Sequence, residues 1–116
     1  MPFINFKQGR RVQIWDGISG TLHHSDQITC GYILLTEGVE LPEHHHVQEQ
    51  WTHVIEGSLE FRIGQETMVL TPGMCAYIPS NVPHSGKALT ACTAIDVFNP
   101  VREDFKKLET DQFSGR

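Results

Sequence analysis

Gly38 to Gly57 reads GVELPEHHHVQEQWTHVIEG, and the fold turns on how this stretch is read. In an extended strand, successive side chains point to opposite faces, so His44 and His46 share one face and His45 takes the other. Gln50 follows His46 after a short gap, and Gly57 closes the next apolar run. Two imidazoles at i and i+2, with a third ligand beyond a short loop, can converge on one divalent ion. A second stretch, Gly73 to Gly86 (GMCAYIPSNVPHSG), carries His84 behind two prolines, and we expect it to complete the site. A histidine run also occurs as a solvated loop, and a lone histidine as a surface residue. Composition and spacing alone leave the two outcomes evenly matched.

The chain has 116 residues, enough for one domain with a core of its own. Hydrophobic residues make up 39% and charged residues 20%, which favours a folded protein over disorder. The net charge is −5, and the only basic pairs are Arg10-Arg11 and Lys106-Lys107, so no nucleic-acid partner is expected. No run approaches the ~18 apolar residues of a membrane span. MPFINFKQGRR lacks the apolar core of a secretory signal, which points to a cytoplasmic protein. Cys30, Cys75 and Cys92 form no CxxC pair and are read as reduced, mostly buried thiols.

Short strands are expected over residues 3–6 and 11–16, and a strand over the apolar run Ile28–Thr36; Ile18–His24 between them is ambiguous, a further short strand being one outcome. Pro42 suits a strand start or an edge. In Gln50–Glu56, Gln50, Thr52 and Val54 share one face; Trp51, His53 and Ile55 share the other, which leaves His53 out of the site. Gly57-Ser58 reads as a tight hairpin into Ser58–Ile63, whose Leu59, Phe61 and Ile63 face inward. A turn at Gly64–Glu66, a return over Met68–Leu70, a short strand at Ala76–Ile78 and a long one at Ala88–Phe98 follow. Asn99 caps a helix over about 100–109 that docks through Phe105 and Leu108, and the tail from Thr110 to Arg116 is loose. His23 and His24 are taken as rim or surface residues. Many short strands with frequent turn signals mean an antiparallel sandwich or barrel.

The two histidine stretches resemble the paired motifs of the cupin family. The first motif is a glycine, five residues, His-x-His, three or four residues, usually Glu, six residues and a glycine. Gly38, His44, His46, Gln50 and Gly57 meet every spacing, with Gln50 in the Glu place. The second is matched by Gly73, Pro79 and His84. The likeness covers about residues 28–100. It implies an all-β jelly-roll barrel with a short C-terminal helix, spanning 1–116 as a single domain, and a homodimer formed by exchange of edge strands. It also implies one divalent transition metal (Zn, Ni, Fe, Mn or Cu) held by His44, His46, Gln50 and His84. Glu49 is the rival third ligand if its segment stays in a loop; strand parity sends it the other way. An amide in place of a carboxylate leaves the site at +2 rather than +1, a stronger Lewis acid that suits an anionic small-molecule substrate and retains its metal less tightly.

Asp96 stands in the otherwise apolar AIDVF, sharing a strand face with Ala94 and Phe98. It either lines the barrel, where burial raises its pKa toward that of a general acid or base, or faces solvent, or pairs with Arg102. Arg102 either clamps a substrate carboxylate at the barrel mouth or is a helix-terminal surface arginine. The run PSNVPHSGKAL…IDVFNPVRED is similar to small single-domain cupins of pectin and alginate breakdown, which convert 4,5-unsaturated monouronates to linear keto forms and also carry Gln in the third ligand place. That likeness implies catalytic roles for Asp96, Phe98 and Arg102. Two other functions stay open: a metal-dependent dioxygenase of a small organic substrate, and a non-enzymatic sugar-binding module.

Overall fold

Several strands of this chain bury every second side chain. The computed structural model describes residues 2–114. Its strands are β1 (Val12–Trp15), β2 (Ile18–His24), β3 (Thr29–Leu35), β4 (Glu40–His44), β5 (Glu49–Glu56), β6 (Leu59–Ile63), β7 (Glu66–Leu70), β8 (Cys75–Ile78), β9 (His84–Ala88) and β10 (Cys92–Asn99), followed by α1 (Glu103–Phe113). In β5, Gln50, Thr52 and Val54 are buried while Trp51, His53 and Ile55 are exposed; in β6, Leu59 and Phe61 are buried between exposed Glu60 and Arg62. Period-two burial of this kind makes a sheet with one wet face.

The strands form two antiparallel sheets, ordered β1-β2-β3-β10-β5-β8 and β4-β9-β6-β7. Val12, Val54 and Ile78 from the first sheet and Leu59, Phe61 and Ala88 from the second share one buried cluster. Each large aliphatic side chain taken fully out of water there contributes about 1.5–3 kcal/mol. This is the jelly-roll arrangement the sequence suggested. β4, which contains Pro42, lies at a sheet edge, where a missing N–H is tolerated.

Five expectations need correction. Gly57 does not close a hairpin: β5 pairs with β10 and β8, whereas β6 pairs with β7 and β9, so the chain changes sheets there. Gly57 has φ of 85°, and a Cβ on it would come within 2.2 Å of the Ala91 carbonyl oxygen, so only glycine fits. Residues 3–6 form no strand and join neither sheet. Phe6 instead stacks on Tyr32 and its carbonyl accepts a hydrogen bond from the Thr21 hydroxyl. The helix begins at Glu103 with Arg102 as its N-cap, rather than over 100–109, because the ladder between β10 and β5 runs on to the Asn99–Glu49 pair. The tail is helical to Phe113; the last two residues of the expected loose tail lie outside the described part. Cys75 is exposed rather than buried, and all three thiols are free.

The helix closes one end of the sandwich. Phe105 is buried, Leu108 and Phe113 pack beside it, and the His24 ring meets the Glu109 carboxylate at 2.7 Å. The Gln112 side chain exchanges two hydrogen bonds with the Gln13 backbone, at 2.9 and 2.8 Å, so it occupies part of the free edge of β1. No helix among the described residues is long and apolar enough to cross a membrane.

Candidate metal centre

Four polar side chains meet at the end of the sandwich that α1 covers. His44 is the last residue of β4 and His84 the first of β9, and the two are direct cross-strand partners. His46 lies in the loop that carries the chain from β4 to β5. Gln50, the second residue of β5, is paired with Phe98 near the end of β10. One ring nitrogen from each of His44, His46 and His84 lies within 4.8 Å of the other two.

Hydrogen bonding decides which nitrogens face inward. His44 Nδ1 reaches the Pro42 carbonyl at 2.8 Å, His46 Nδ1 the Gln48 carbonyl at 2.9 Å, and His84 Nδ1 the Val82 carbonyl at 2.9 Å. A carbonyl oxygen only accepts, so each Nδ1 carries the proton and each Nε2 of a neutral ring presents a bare lone pair. His84 Nε2 is sealed from solvent without a hydrogen-bond partner. His46 Nε2 lies 3.1 Å from Gln50 Oε1, which is also an acceptor. Protonation would relieve that clash, yet all three rings are held below the ordinary histidine range. Burial is the main cause in each, assisted by the Arg102 charge and by the neighbouring imidazoles, and His84, only 1% exposed, is pushed down to about 4. Acceptors aimed at one point with no proton to share are what a divalent cation resolves, so the donor set fits one.

Glu49 is turned to the outer face of β5, where it accepts a hydrogen bond from the Tyr77 hydroxyl at 3.3 Å. His53 is exposed on that same face. His23 packs against the Phe6 ring at a tilt of 49°, and His24 is bound to Thr29 and Glu109; neither belongs to the cluster of three.

A cavity of about 170 Å³ opens beside these residues. Its polar wall is His44, Gln50, Thr52, Asp96, Arg102 and Asp104, and much of the remainder is aliphatic. Asp96 lines it rather than facing solvent, with Oδ1 sealed and unpartnered. Burial pushes its carboxyl up to about 6, against the opposing pull of the Thr52 hydroxyl, Arg102 and His53. Arg102 is not a surface residue, being 7% exposed, and it does not pair with Asp96. Its guanidinium lies 3.8 Å from the ring centre of Phe105 and 4.7 Å from that of Phe98. Asp104 accepts two hydrogen bonds along one edge of it, from Nε at 2.9 Å and Nη2 at 2.7 Å.

Three residues of this wall had not been singled out from the sequence. Thr52 shares the strand parity of Gln50, and that signal could have found it. Asp104 falls inside the expected helix, where nothing in the sequence sets it apart. Trp15, whose ring lies 5.6 Å from that of His44 at the cavity rim, gave no signal of a role.

A family model described as a cupin domain matches residues 31–98, more than half of the chain. Among solved structures, the chain is similar to an RmlC-like cupin from Shewanella frigidimarina. The identity is 27% over 90% of this chain and 96% of that one, with a TM-score of 0.85. It is also similar to KdgF from Halomonas sp., with 25% identity, 89% and 96% coverage and a TM-score of 0.81. Oxalate decarboxylase from Bacillus subtilis shares the fold at 21% identity, with 87% of this chain matching 30% of that one at a TM-score of 0.74. No curated protein matches by sequence.

Proposed function

This chain belongs to the cupin family, and from that premise we propose that it is a metal-dependent isomerase that converts 4,5-unsaturated monouronates, or closely similar sugar acids, to linear keto forms. The observation that carries the proposal is the juxtaposition of unprotonated histidine acceptors and the Gln50 oxygen with a cavity-lining acid and a stacked arginine. His44, His46, Gln50 and His84 would hold one divalent ion. When bound, the ion supplies Lewis-acid polarisation of substrate oxygens.

The remaining roles belong to the chain. Arg102 keeps its second guanidinium edge free of Asp104 and can take the substrate carboxylate there. Phe98, at the base of that arginine, sets the orientation of the sugar ring. Ring opening breaks the bond between C1 and the ring oxygen: the C1 hydroxyl gives up its proton as the aldehyde forms, and the ring oxygen becomes an enol. The enol then gains a proton at C4 and loses one from oxygen, leaving a ketone at C5, so the conversion is an isomerisation without a redox partner. Asp96, with its carboxyl raised to about 6, is suited to carry those protons near neutral pH. Metal-loaded protein mixed with an unsaturated monouronate is expected to speed the loss of its ultraviolet absorbance, and Asp96→Asn to abolish the gain. No acceleration over buffer overturns the substrate assignment.

One observation favours a second function. Ile14, Ile18, Ile33, Leu41, Leu59 and Phe61 line the same cavity, which suits a less polar ligand and a metal-dependent dioxygenase of a small organic substrate. Oxygen uptake with iron-, nickel- or copper-loaded protein distinguishes it.

A further inference from the structure

The Gln50 side chain could point either end at the histidines, and only one end can bind a cation. Its Oε1 faces His46 Nε2 at 3.1 Å, and its Nε2 donates to Thr52 Oγ1 at 2.9 Å. Taken alone, that choice is unfavourable in the metal-free protein. Turning the amide over would place an N–H against the bare lone pair of His46 and make a normal hydrogen bond. Something must hold it the other way round.

The position of Thr52 supplies the cause. It is 2% exposed and directly opposite Asp96 in the ladder between β5 and β10. A hydroxyl has one proton to give. If Thr52 gives it to the Asp96 carboxylate, the hydroxyl can only accept from Gln50, and the amide must present its nitrogen to Thr52 and its oxygen to the histidines. Asp96 Oδ1 is already sealed without a partner, and the Thr52 hydroxyl is a group that favours its ionised form. Turning the amide over would draw the Thr52 proton to Gln50 and take that donor from the carboxylate, and a buried carboxylate left without donors costs more than one strained acceptor pair. We propose that Thr52 is a positioning residue: by donating to Asp96 and accepting from Gln50, it turns the Gln50 oxygen toward His44, His46 and His84 and makes that amide a metal ligand. This rests on the metal site proposed above, and it adds a physical link from the acid to the metal that neither residue makes directly.

The test uses the metal-free full chain and Co²⁺ alone as the probe. Thr52→Val keeps the shape and removes both hydrogen bonds; Thr52→Ser keeps the hydroxyl. By titration calorimetry, Thr52→Val is expected to bind Co²⁺ about tenfold or more weakly, with a changed visible d–d spectrum, and Thr52→Ser to stay close to the parent. A second reading needs no metal. In ¹⁵N spectra of the metal-free protein, Thr52→Val should shift the Gln50 side-chain amide and the His46 Nε2 resonance as the amide turns over, while Thr52→Ser should not. Parent-like Co²⁺ affinity in a folded Thr52→Val protein, or unshifted Gln50 and His46 signals, overturns the proposal. A parent that takes up no Co²⁺ defeats the metal site itself, and the spectra still decide whether Thr52 sets the amide.

Discussion

The two corners of the cavity are held in place by different means. In the histidine corner, each ring is anchored to a backbone carbonyl two residues away in its own segment: Pro42 for His44, Gln48 for His46 and Val82 for His84. In the opposite corner, Asp96 faces Thr52 across a strand pair, and Arg102 is held by two aromatic rings and by Asp104 at the start of a helix. Local anchoring makes a corner rigid and readable from spacing. Anchoring through tertiary contacts makes it dependent on how the helix docks. The largest effects should therefore come from breaking the histidine corner, and graded, partly compensated ones from the other.

Removing a histidine is the strongest break. In structural zinc sites the four ligands supply roughly 10–16 kcal/mol of apparent metal binding, so one ligand is worth up to ~4 kcal/mol. His84→Ala is expected to weaken binding of a divalent ion about a thousandfold by competitive titration, whereas Arg102→Ala should leave it within about tenfold. Equal losses would mean that the two corners act as one unit.

Acid separates them by sign. His84 titrates near 6.5 in the unfolded chain and is pushed down to about 4 in the fold. Between those values the unfolded chain binds the extra proton, so stability falls as pH drops from about 6.5 to 4, by up to ~3 kcal/mol. His44 and His46, also lowered, act in the same direction. Asp96, raised from 3.8 to about 6, acts in the opposite direction: the fold holds its proton where the unfolded chain does not, so stability rises as pH falls from 6 toward 4, by up to ~3 kcal/mol. In the metal-free parent, urea unfolding at pH 6.5 and at pH 4 should therefore show a modest net loss on the acid side. Asp96→Asn should steepen that loss by removing the compensation. A flatter profile in Asp96→Asn would mean that the acid is not held neutral by burial.

The same contrast explains what could be seen in the sequence. His44, His46, Gln50 and His84 are picked out by spacing together with a family likeness, since spacing alone leaves a metal site and a solvated loop evenly matched, and His46 lies in the loop beyond β4 rather than on a strand face. Asp96 and Phe98 came from parity along β10 and a family likeness. The surroundings of Arg102 did not, because they depend on where α1 begins. Asn99 has the residue type of a helix cap, yet it stays paired with Glu49 in the sheet, and the cap passes to Arg102. Residues 3–6 have strand-like composition, but a strand also needs a partner, and they pair with none. Gly57 signals a reversal and cannot say which sheet receives the chain. Each miss is a question of partner choice, which periodicity does not encode.

The smallest expected effects concern Arg102 and Asp104, and they test what holds the arginine. The pair is short, but the Asp104 side chain is 63% exposed, so the ion pair contributes no more than ~1 kcal/mol after screening. The stacking on Phe98 and Phe105 takes place out of water, where each cation–π contact is worth about 1–2 kcal/mol. Packing thus outweighs charge. Arg102→Ala should destabilise the fold by about 2 kcal/mol, through lost packing of its stem as well as its head, whereas Asp104→Asn should cost under ~1 kcal/mol in the same urea unfolding series. Asp104 still fixes which edge of the guanidinium is left for a ligand. Asp104→Asn should therefore raise KM for an acidic substrate by a few-fold at most while leaving the metal affinity unchanged. A loss from Asp104→Asn as large as that from Arg102→Ala would show that the carboxylate, and not the two rings, keeps the arginine at the cavity.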